Sequence, residues 1–327
     1  MRTGRLTAAL AVAAVLLTAD AGGWRTRTVR HCCAGAAGTK RPPSGSPAMT
    51  LPVSVAPYTS VARASVAPVS VAPSPIVVRP ATSAPVRTPA ITAERLAADL
   101  SRLFGAGNSY SVAALDLSTG RSSRAGAGGG MVLASLVKLD LLETLLYQHQ
   151  RSGQPLTASQ DGDVSAMIER SDNAAADRVF RLIGENAGLR YYHSVLGLHD
   201  TVLNAEGQWG LSTTSAGDQL ILLRALTSAG SPLTATSRRY ALALMSNLES
   251  DQRWGVSAAA DPGSTTAAKN GWLGIDSDGE RWAVNSAGVV RIGGHQVLMV
   301  VLSQHQQDFS TAVARVQRAA VELAGAL

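Results

Sequence analysis

The sequence predicts an α+β fold in which an antiparallel five-stranded sheet is flanked by terminal helices and carries an inserted all-helical subdomain. Three observations support this prediction. A helix and two strands open the patterned part of the chain, a long block of helical patterns follows, and three strands and a helix close it. Strands from both ends of such a chain can pair in one sheet, and the two terminal helices then cover one of its faces.

The opening elements are marked by their boundaries. Apolar residues recur at helical spacing from Thr92 to Phe104, between a threonine cap and a glycine stop at Gly105. Tyr110 to Leu117 alternates as a strand, and the turn Ser118–Arg121 leads into a second strand.

The remaining elements follow from the same two periodicities. Helical patterns are predicted after Lys138 and then at about 163–170, 174–183, 186–196, 215–229 and 234–248. Three consecutive strands are predicted at Thr265–Gly271, Arg281–Arg291 and Gln296–Ser303, and a closing amphipathic helix at Phe309–Ala324.

Composition divides the chain into three parts. Residues 1–21 are predicted to be a signal peptide, because two arginines precede the uncharged apolar run Leu6–Leu17 and Ala19–Ala21 offers a small-x-small cleavage site. Residues 22–91 are predicted to be a disordered basic linker rich in Pro, Ser, Ala and Val, since so many prolines forbid helices and central strands. Residues 92–327 then form the folded domain.

The charge distribution argues against a nucleic-acid-binding domain. Residues 1–92 hold ten Lys and Arg residues and one acid, so their net charge is +9. The whole chain has a net charge of +6, so residues 93–327 carry −3. The basicity therefore lies in the linker, which we expect either to contact an anionic cell wall or membrane surface or to serve as a plain tether. Both cysteines, Cys32 and Cys33, also lie in the linker, so the domain depends on its core for stability.

Three short motifs carry the candidate chemistry. Ser135 and Lys138 lie three residues apart at the start of a helix, so they share one face, and a desolvated lysine can take the proton of a serine nucleophile. Ser171-Asp172-Asn173 can relay a proton and bind a carbonyl group, or it can simply cap the next helix. Lys269-Asn270-Gly271 ends a strand, where a lysine can meet a carboxylate and a glycine permits close backbone approach.

Each motif alone has an ordinary structural explanation, but in this order they resemble the class A β-lactamases and the related penicillin-binding D,D-peptidases over residues 93–327. The resemblance implies a β-lactamase/transpeptidase-like fold. It also implies three catalytic roles: Ser135 is acylated, Lys138 helps to deprotonate it, and Ser171 passes protons to the leaving nitrogen.

Substrate contacts are implied by the same resemblance. Asn173 is expected to hold the acyl side-chain amide, and Lys269 to assist the substrate carboxylate with Asn270 and Gly271 beside it. The backbone N–H groups of Ser135 and Trp272 are expected to form the oxyanion hole. Arg281 can bind the same carboxylate or can be an ordinary solvated strand arginine.

The sequence departs from the family pattern in three places. Asn270 stands where the family usually has Thr or Ser, so an amide replaces a hydroxyl. Ser171 follows Ser135 by 36 residues, fewer than in typical class A enzymes, which predicts a reduced helical subdomain. Glu206 follows the pair Leu203-Asn204 instead of preceding one, so it is either the deacylating general base or an exposed loop acid.

The function predicted first is an exported serine hydrolase that opens β-lactam amides through an acyl-serine intermediate. The alternative is a penicillin-sensitive D,D-peptidase or another cell-wall serine hydrolase, and an alternative of another class is a catalytically weak wall-binding or penicillin-sensing domain. We expect a β-lactam or D-alanyl peptide-like small substrate, no cofactor, no metal and no nucleic-acid partner. We also expect a monomer that is secreted to an extracytoplasmic, cell-wall-associated location.

Two further sets of residues have ambiguous sequence signals. Four tryptophans flank the motifs and can form either a stacking wall or part of the core: Trp209, Trp254, Trp272 and Trp282. Four histidines have neither metal spacing nor a recognisable acid partner in the sequence: His193, His199, His295 and His305.

Overall fold

The computed structural model describes residues 91–327, so the predicted signal peptide and all but the last residue of the predicted linker lie outside the described residues. The strands are β1 (Ser109–Asp116), β2 (Ser122–Gly126), β3 (Met131–Val132), β4 (Thr213–Thr214), β5 (Ala267–Ile275), β6 (Arg281–Ile292) and β7 (His295–Gln306). The helices are α1 (Ala93–Phe104), α2 (Lys138–Ser152), α3 (Ala158–Glu169), α4 (Asn173–Leu182), α5 (Glu185–Leu196), α6 (Ala216–Thr227), α7 (Ala235–Ser246) and α8 (Phe309–Gly325).

One antiparallel sheet of five strands forms the centre of the fold, in the order β2-β1-β7-β6-β5. Strands from the start and the end of the chain are thus neighbours, because β1 pairs with β7 from Ser109–Gln304 to Asp116–Val297. The predicted fold class is confirmed. A two-stranded ribbon of β3 and β4 lies outside this sheet, and such short strands were not predicted from the sequence.

The terminal helices pack on one face of the sheet. Leu96, Leu100 and Phe104 of α1 are fully buried with Val316 and Leu323 of α8. The Thr92 hydroxyl accepts a hydrogen bond from the Arg95 N–H, and the helix ends at Gly105, whose φ is +78°. The predicted cap and stop of this helix are therefore confirmed.

Helices α2 to α7 lie between β3 and β5 in the chain and form the inserted subdomain. The apolar side chains of α2 are buried on nearly every side, including Leu139, Leu142 and Leu145. This helix is the central element of the subdomain, and its first turn carries the candidate catalytic lysine. No helix within residues 91–327 is long and apolar enough to cross a membrane.

Candidate active site

A short 3₁₀ turn, Ala134–Val137, delivers Ser135 to the start of α2. Side chains three residues apart eclipse one another in 3₁₀ geometry. The Lys138 Nζ therefore lies 3.1 Å from the Ser135 Oγ. Ala134 has a left-handed φ of +50°, a costly conformation for a residue with a side chain, and such outliers are concentrated at functional sites.

The second motif combines a helix cap with site geometry. The Asp172 carboxylate accepts a hydrogen bond from the Ala175 N–H at 2.7 Å and begins α4. Ser171, just before it, has a left-handed φ of +58°. That turn brings both Ser171 oxygens to Lys138, whose Nζ lies 2.5 Å from the carbonyl and 3.1 Å from the hydroxyl. Lys138 also donates to the Asn173 Oδ1 at 2.6 Å. The capping and catalytic interpretations of this motif are therefore compatible.

The third motif adds a second buried lysine. Lys269 lies on β5, which is an edge strand of the sheet, and its Nζ donates to the Ser171 Oγ at 3.0 Å and to the Asn270 carbonyl at 2.7 Å. Burial, and next the nearby Lys138 charge, hold the pKa of Lys269 well below its usual range. Hydrogen bonds thus run from Ser135 through Lys138 and Ser171 to Lys269.

Gly271 allows β5 to approach the nucleophile turn. A methyl group at this glycine would lie 2.4 Å from the Leu136 N, 2.9 Å from the Leu133 O and 3.0 Å from the Ser135 N. Because no side chain fits there, glycine is required for the strand edge and the Ser135 backbone to stand this close together. This is the place where the expected oxyanion hole would form.

Two side chains predicted to contact substrate, those of Asn270 and Arg281, contact other parts of the protein instead. Successive residues of a strand point to opposite faces, so the Asn270 amide lies behind the strand, 1% exposed, and donates to the carbonyls of Gln252 and Trp254. Arg281 lies 3.8 Å from the Asp278 carboxylate and is half-exposed. Neither side chain is among the described residues that line the cleft at Ser135.

The cleft at Ser135 has a volume of about 440 Å³. Among the described motif residues, Ser135 and Asn173 line it, whereas Lys138, Ser171 and Lys269 do not. The full lining is Ala134, Ser135, Asn173, Asp177, Gly207–Leu211, Trp272 and Leu273. Glu206 is exposed and is not among these described lining residues, although its neighbour Gly207 is. A larger depression of about 880 Å³ between α1 and α8 shares no residue with this cleft.

Of the four tryptophans that flank the motifs, two line the cleft and two pack away from it. Trp209 and Trp272 line the cleft. Trp254 and Trp282 pack with Phe309, at 6.4 and 5.3 Å between ring centres, and Trp272 joins the same cluster at 5.8 Å from Phe309. Contacts between aromatic rings are stabilising, so this cluster holds Trp272 in place where it lines the cleft.

A separate group of polar side chains is buried behind the site, between α2 and α5. Glu143 accepts a hydrogen bond from the Tyr192 hydroxyl at 2.9 Å, and Asp140 lies 2.9 Å from the His193 Nε2. Burial raises the pKa of Glu143 well above its usual range, and the nearby Asp140 carboxylate adds to this, against the opposing effect of the Tyr192 hydroxyl.

The expectation that the histidines have no acid partner is wrong for three of them. His193 meets Asp140, His295 meets Asp116 at 2.9 Å, and His305 meets Asp278 at 2.6 Å. The partners are 53, 179 and 27 residues away in sequence, so only the fold brings them together. No group of three or more His, Cys, Asp or Glu within residues 91–327 is arranged to hold a metal ion.

A family model described as the beta-lactamase enzyme family matches residues 151–326, more than half of the chain. The chain belongs to the beta-lactamase enzyme family. The match contains Ser171 and Lys269 but begins after Ser135 and Lys138. The first motif of this family member is therefore supported by its own geometry, in the contact between Lys138 and Ser135.

Relatives and solved structures are similar to this chain over most of its length. Proteins of Mycobacterium tuberculosis and Mycobacterium bovis, both named "Putative lipoprotein LppW", are 29% identical over 250 residues, 72% of this chain and 77% of theirs. The structure of PBP-A matches with a TM-score of 0.60 at 19% identity, over 71% of this chain and 95% of PBP-A. The extended-spectrum beta-lactamase TLA-1 matches with a TM-score of 0.61 at 15% identity, over 70% of this chain and 97% of its own. These structures share the fold of this beta-lactamase family member.

Sequence reasoning missed one contact between cleft residues. The Trp209 indole N–H donates to the Asp177 Oδ1 at 2.9 Å, and the Trp209 ring centre lies 5.4 Å from the Lys138 Nζ. The spacing of Asp177, four residues after Asn173 on α4, places both on one helix face and was the available signal. Nothing in the sequence indicated that Trp209 reaches it.

Proposed function

We propose that this protein is an exported serine hydrolase that opens β-lactam amides through an acyl-serine intermediate. The observation that carries the proposal is the contact of the Lys138 Nζ with both the Ser135 and Ser171 hydroxyls, at 3.1 Å each, while the Lys269 Nζ reaches the same Ser171 hydroxyl. The groups proposed as nucleophile, base and proton relay are thus within hydrogen-bond distance of one another.

Burial gives this arrangement its reactivity. Lys138 and Lys269 are both 0% exposed, and two buried ammonium groups that share one hydroxyl repel each other. This repulsion favours states in which one of the two lysines is neutral. Of the two, Lys269 is the lysine whose pKa is lowered by burial. A substrate carboxylate beside Lys269 would instead favour its charged form and leave Lys138 neutral, and a neutral Lys138 can take the Ser135 proton as general base, whereas a charged one cannot.

In the proposed acylation, the Ser135 Oγ forms a bond to the amide carbon and its proton passes to the Lys138 Nζ. The amide C–N bond then breaks as the Ser171 hydroxyl delivers its proton to the leaving nitrogen and takes in exchange the proton that the Lys138 Nζ accepted. The backbone N–H groups of Ser135 and Trp272 are proposed to stabilise the oxyanion, Asn173 to hold the acyl amide, and Lys269 to attract the carboxylate. Hydrolysis of the ester by water completes the cycle.

One observation favours the second candidate, a D,D-peptidase that penicillin merely traps. The part of the loop after α5 that lines the cleft with Ser135, Gly207 to Leu211, carries the Trp209 ring and no carboxylate. A mutant of the structural neighbour PBP-A was solved as an acyl-enzyme complex with penicillin-G, with a TM-score of 0.59 at 19% identity. A long-lived acyl-enzyme in this protein would favour the second candidate.

One experiment separates these outcomes. The purified protein and its Ser135→Ala variant are mixed with a fluorescent penicillin and, separately, with a chromogenic cephalosporin. We expect covalent labelling and cephalosporin opening by the parent and neither by Ser135→Ala, which should unfold at the same temperature because it loses one hydroxyl only. Labelling without turnover would favour the D,D-peptidase, and no labelling of the folded parent would refute the serine-hydrolase proposal.

The cellular location forms a separate part of the proposal. The predicted signal peptide of residues 1–21 and the basic linker of residues 22–91 support export and contact with the cell wall. The relatives named as lipoproteins are consistent with an extracytoplasmic place. Fractionation of cells that produce the full chain tests this, and recovery of the mature protein in the cytoplasm would contradict it.

A further inference from the structure

The part of the loop after α5 that lines the cleft with Ser135 contains no carboxylate. The Asn204 Oδ1 accepts hydrogen bonds from the N–H groups of Glu206 and Gln208, which fixes a tight turn. The Glu206 side chain is exposed beside this turn, while the following residues, Gly207 to Leu211, line the cleft. The loop thus contributes Gly207 to Leu211 to the cleft, with Trp209 as its one aromatic ring there.

Trp209 is fixed at both ends. Its ring centre lies 5.4 Å from the Lys138 Nζ, a cation–π distance, and its indole N–H donates to the Asp177 Oδ1 at 2.9 Å. An indole N–H is a donor only, so it can orient a carboxylate but cannot take a proton from one. Trp209 thus spans the cleft from the lysine to the aspartate.

Asp177 reaches the cleft from the other side. It lies on α4 one turn after Asn173, whose Oδ1 accepts a hydrogen bond from Lys138 at 2.6 Å. It is the only carboxylate among the described residues that line the cleft with Ser135. Its side chain is exposed, so solvent can reach it directly.

From this geometry we infer that Asp177, oriented by Trp209, is the general base that activates the water for hydrolysis of the acyl-serine. The inference rests on the proposed function, since it concerns the second half of that reaction. The water oxygen forms a bond to the ester carbon and gives its proton to Asp177. The bond from that carbon to the Ser135 Oγ then breaks as the Ser135 Oγ takes up, through solvent, the proton that Asp177 received, so the free enzyme with an ionised Asp177 and the ring-opened acid are released.

The chemistry of the pair suits this role. A carboxylate offers about four lone-pair positions, so one oxygen can accept the indole hydrogen bond while the other receives the water proton. A base that a third group orients is the general arrangement of activated nucleophiles in enzymes. Trp209 is then a positioning residue, whereas Asp177 contacts the reacting water.

The test measures acylation and deacylation separately. Intact-protein mass spectrometry follows the penicillin adduct after mixing and after removal of free penicillin, for the full-length parent and the variants Asp177→Asn, Trp209→Phe and Glu206→Gln. Asn keeps an oxygen that accepts from the indole, and Phe keeps a ring near Lys138. We expect Asp177→Asn to acylate like the parent but to hold the adduct about 10²–10⁴-fold longer, the usual effect of losing a positioned general base.

The two comparison variants identify the mechanism. Trp209→Phe should also lengthen the adduct lifetime, but it should add nothing in the Asp177→Asn background, because a positioning residue acts only through the base. Glu206→Gln should keep the adduct lifetime of the parent. Equal lifetimes for Asp177→Asn and the parent, or a longer lifetime for Glu206→Gln only, would overturn the inference and leave the proposed function intact. A folded parent that forms no adduct would refute the proposed function itself.

Discussion

The close approach of β5 to the nucleophile turn makes Gly271→Ala the most informative single substitution outside the catalytic side chains. It adds one methyl group and removes no polar atom. That methyl carbon would lie 2.4 Å from the Leu136 N and 3.0 Å from the Ser135 N. Both neighbours are backbone atoms, so they cannot rotate away as the end of a flexible side chain can.

The size of the effect follows from these distances. An unstrained contact between such atoms is about 3.5 Å, so the strand and the turn must separate by roughly 1 Å. A misplacement of about 1 Å near reacting groups can cost about 10²-fold in rate, which corresponds to about 2.7 kcal/mol of barrier. Overpacking of this kind also costs about 1–3 kcal/mol of folding stability. We expect the acylation rate to fall about 100-fold and the melting temperature to fall with it.

Gly274→Ala on the same strand is the matched control. Its added methyl group would meet nothing closer than the Trp282 ring at 3.8 Å, an ordinary contact. The assay measures the second-order rate of labelling by fluorescent penicillin together with thermal unfolding of each protein. If Gly271→Ala were labelled as fast as Gly274→Ala and unfolded at the same temperature, the reasoning about the strand and the Ser135 backbone would be refuted.

Two further predictions concern the rest of the domain. Glu143 has a raised folded-state pKa, so above its ordinary value of 4.5 the unfolded chain releases a proton that the folded chain retains, and stability falls as the pH rises toward the folded-state pKa. The free energy of unfolding in urea, measured from pH 4 to pH 7, should therefore fall more with rising pH in the parent than in Glu143→Gln. The same pH dependence in both proteins would contradict this. Limited proteolysis of the full chain should leave a resistant core that begins near Thr92, whereas first cuts within 150–250 would contradict the predicted domain boundary.

The sequence by itself determined the order of the elements and the identity of the motifs. Periodicity, the Thr92 cap and the Gly105 stop are local properties, so α1, β1 and the strands after Thr265 could be predicted close to their observed bounds. Ser135 and Lys138 could be paired for the same reason, because three residues along a helical turn fix their separation. That the two ends of the chain share one sheet also followed from the element order.

Only the tertiary structure decided what lies across the cleft. The contacts between Lys138 and Ser171, between Lys269 and Ser171, and between Trp209 and Asp177 join residues 33, 98 and 32 positions apart. The Asn270 amide lies on the face of β5 opposite the Lys269 side chain. Which face each β5 side chain takes is set by the register of β5 with β6. Distances of this kind depend on packing between elements, which local periodicity does not specify.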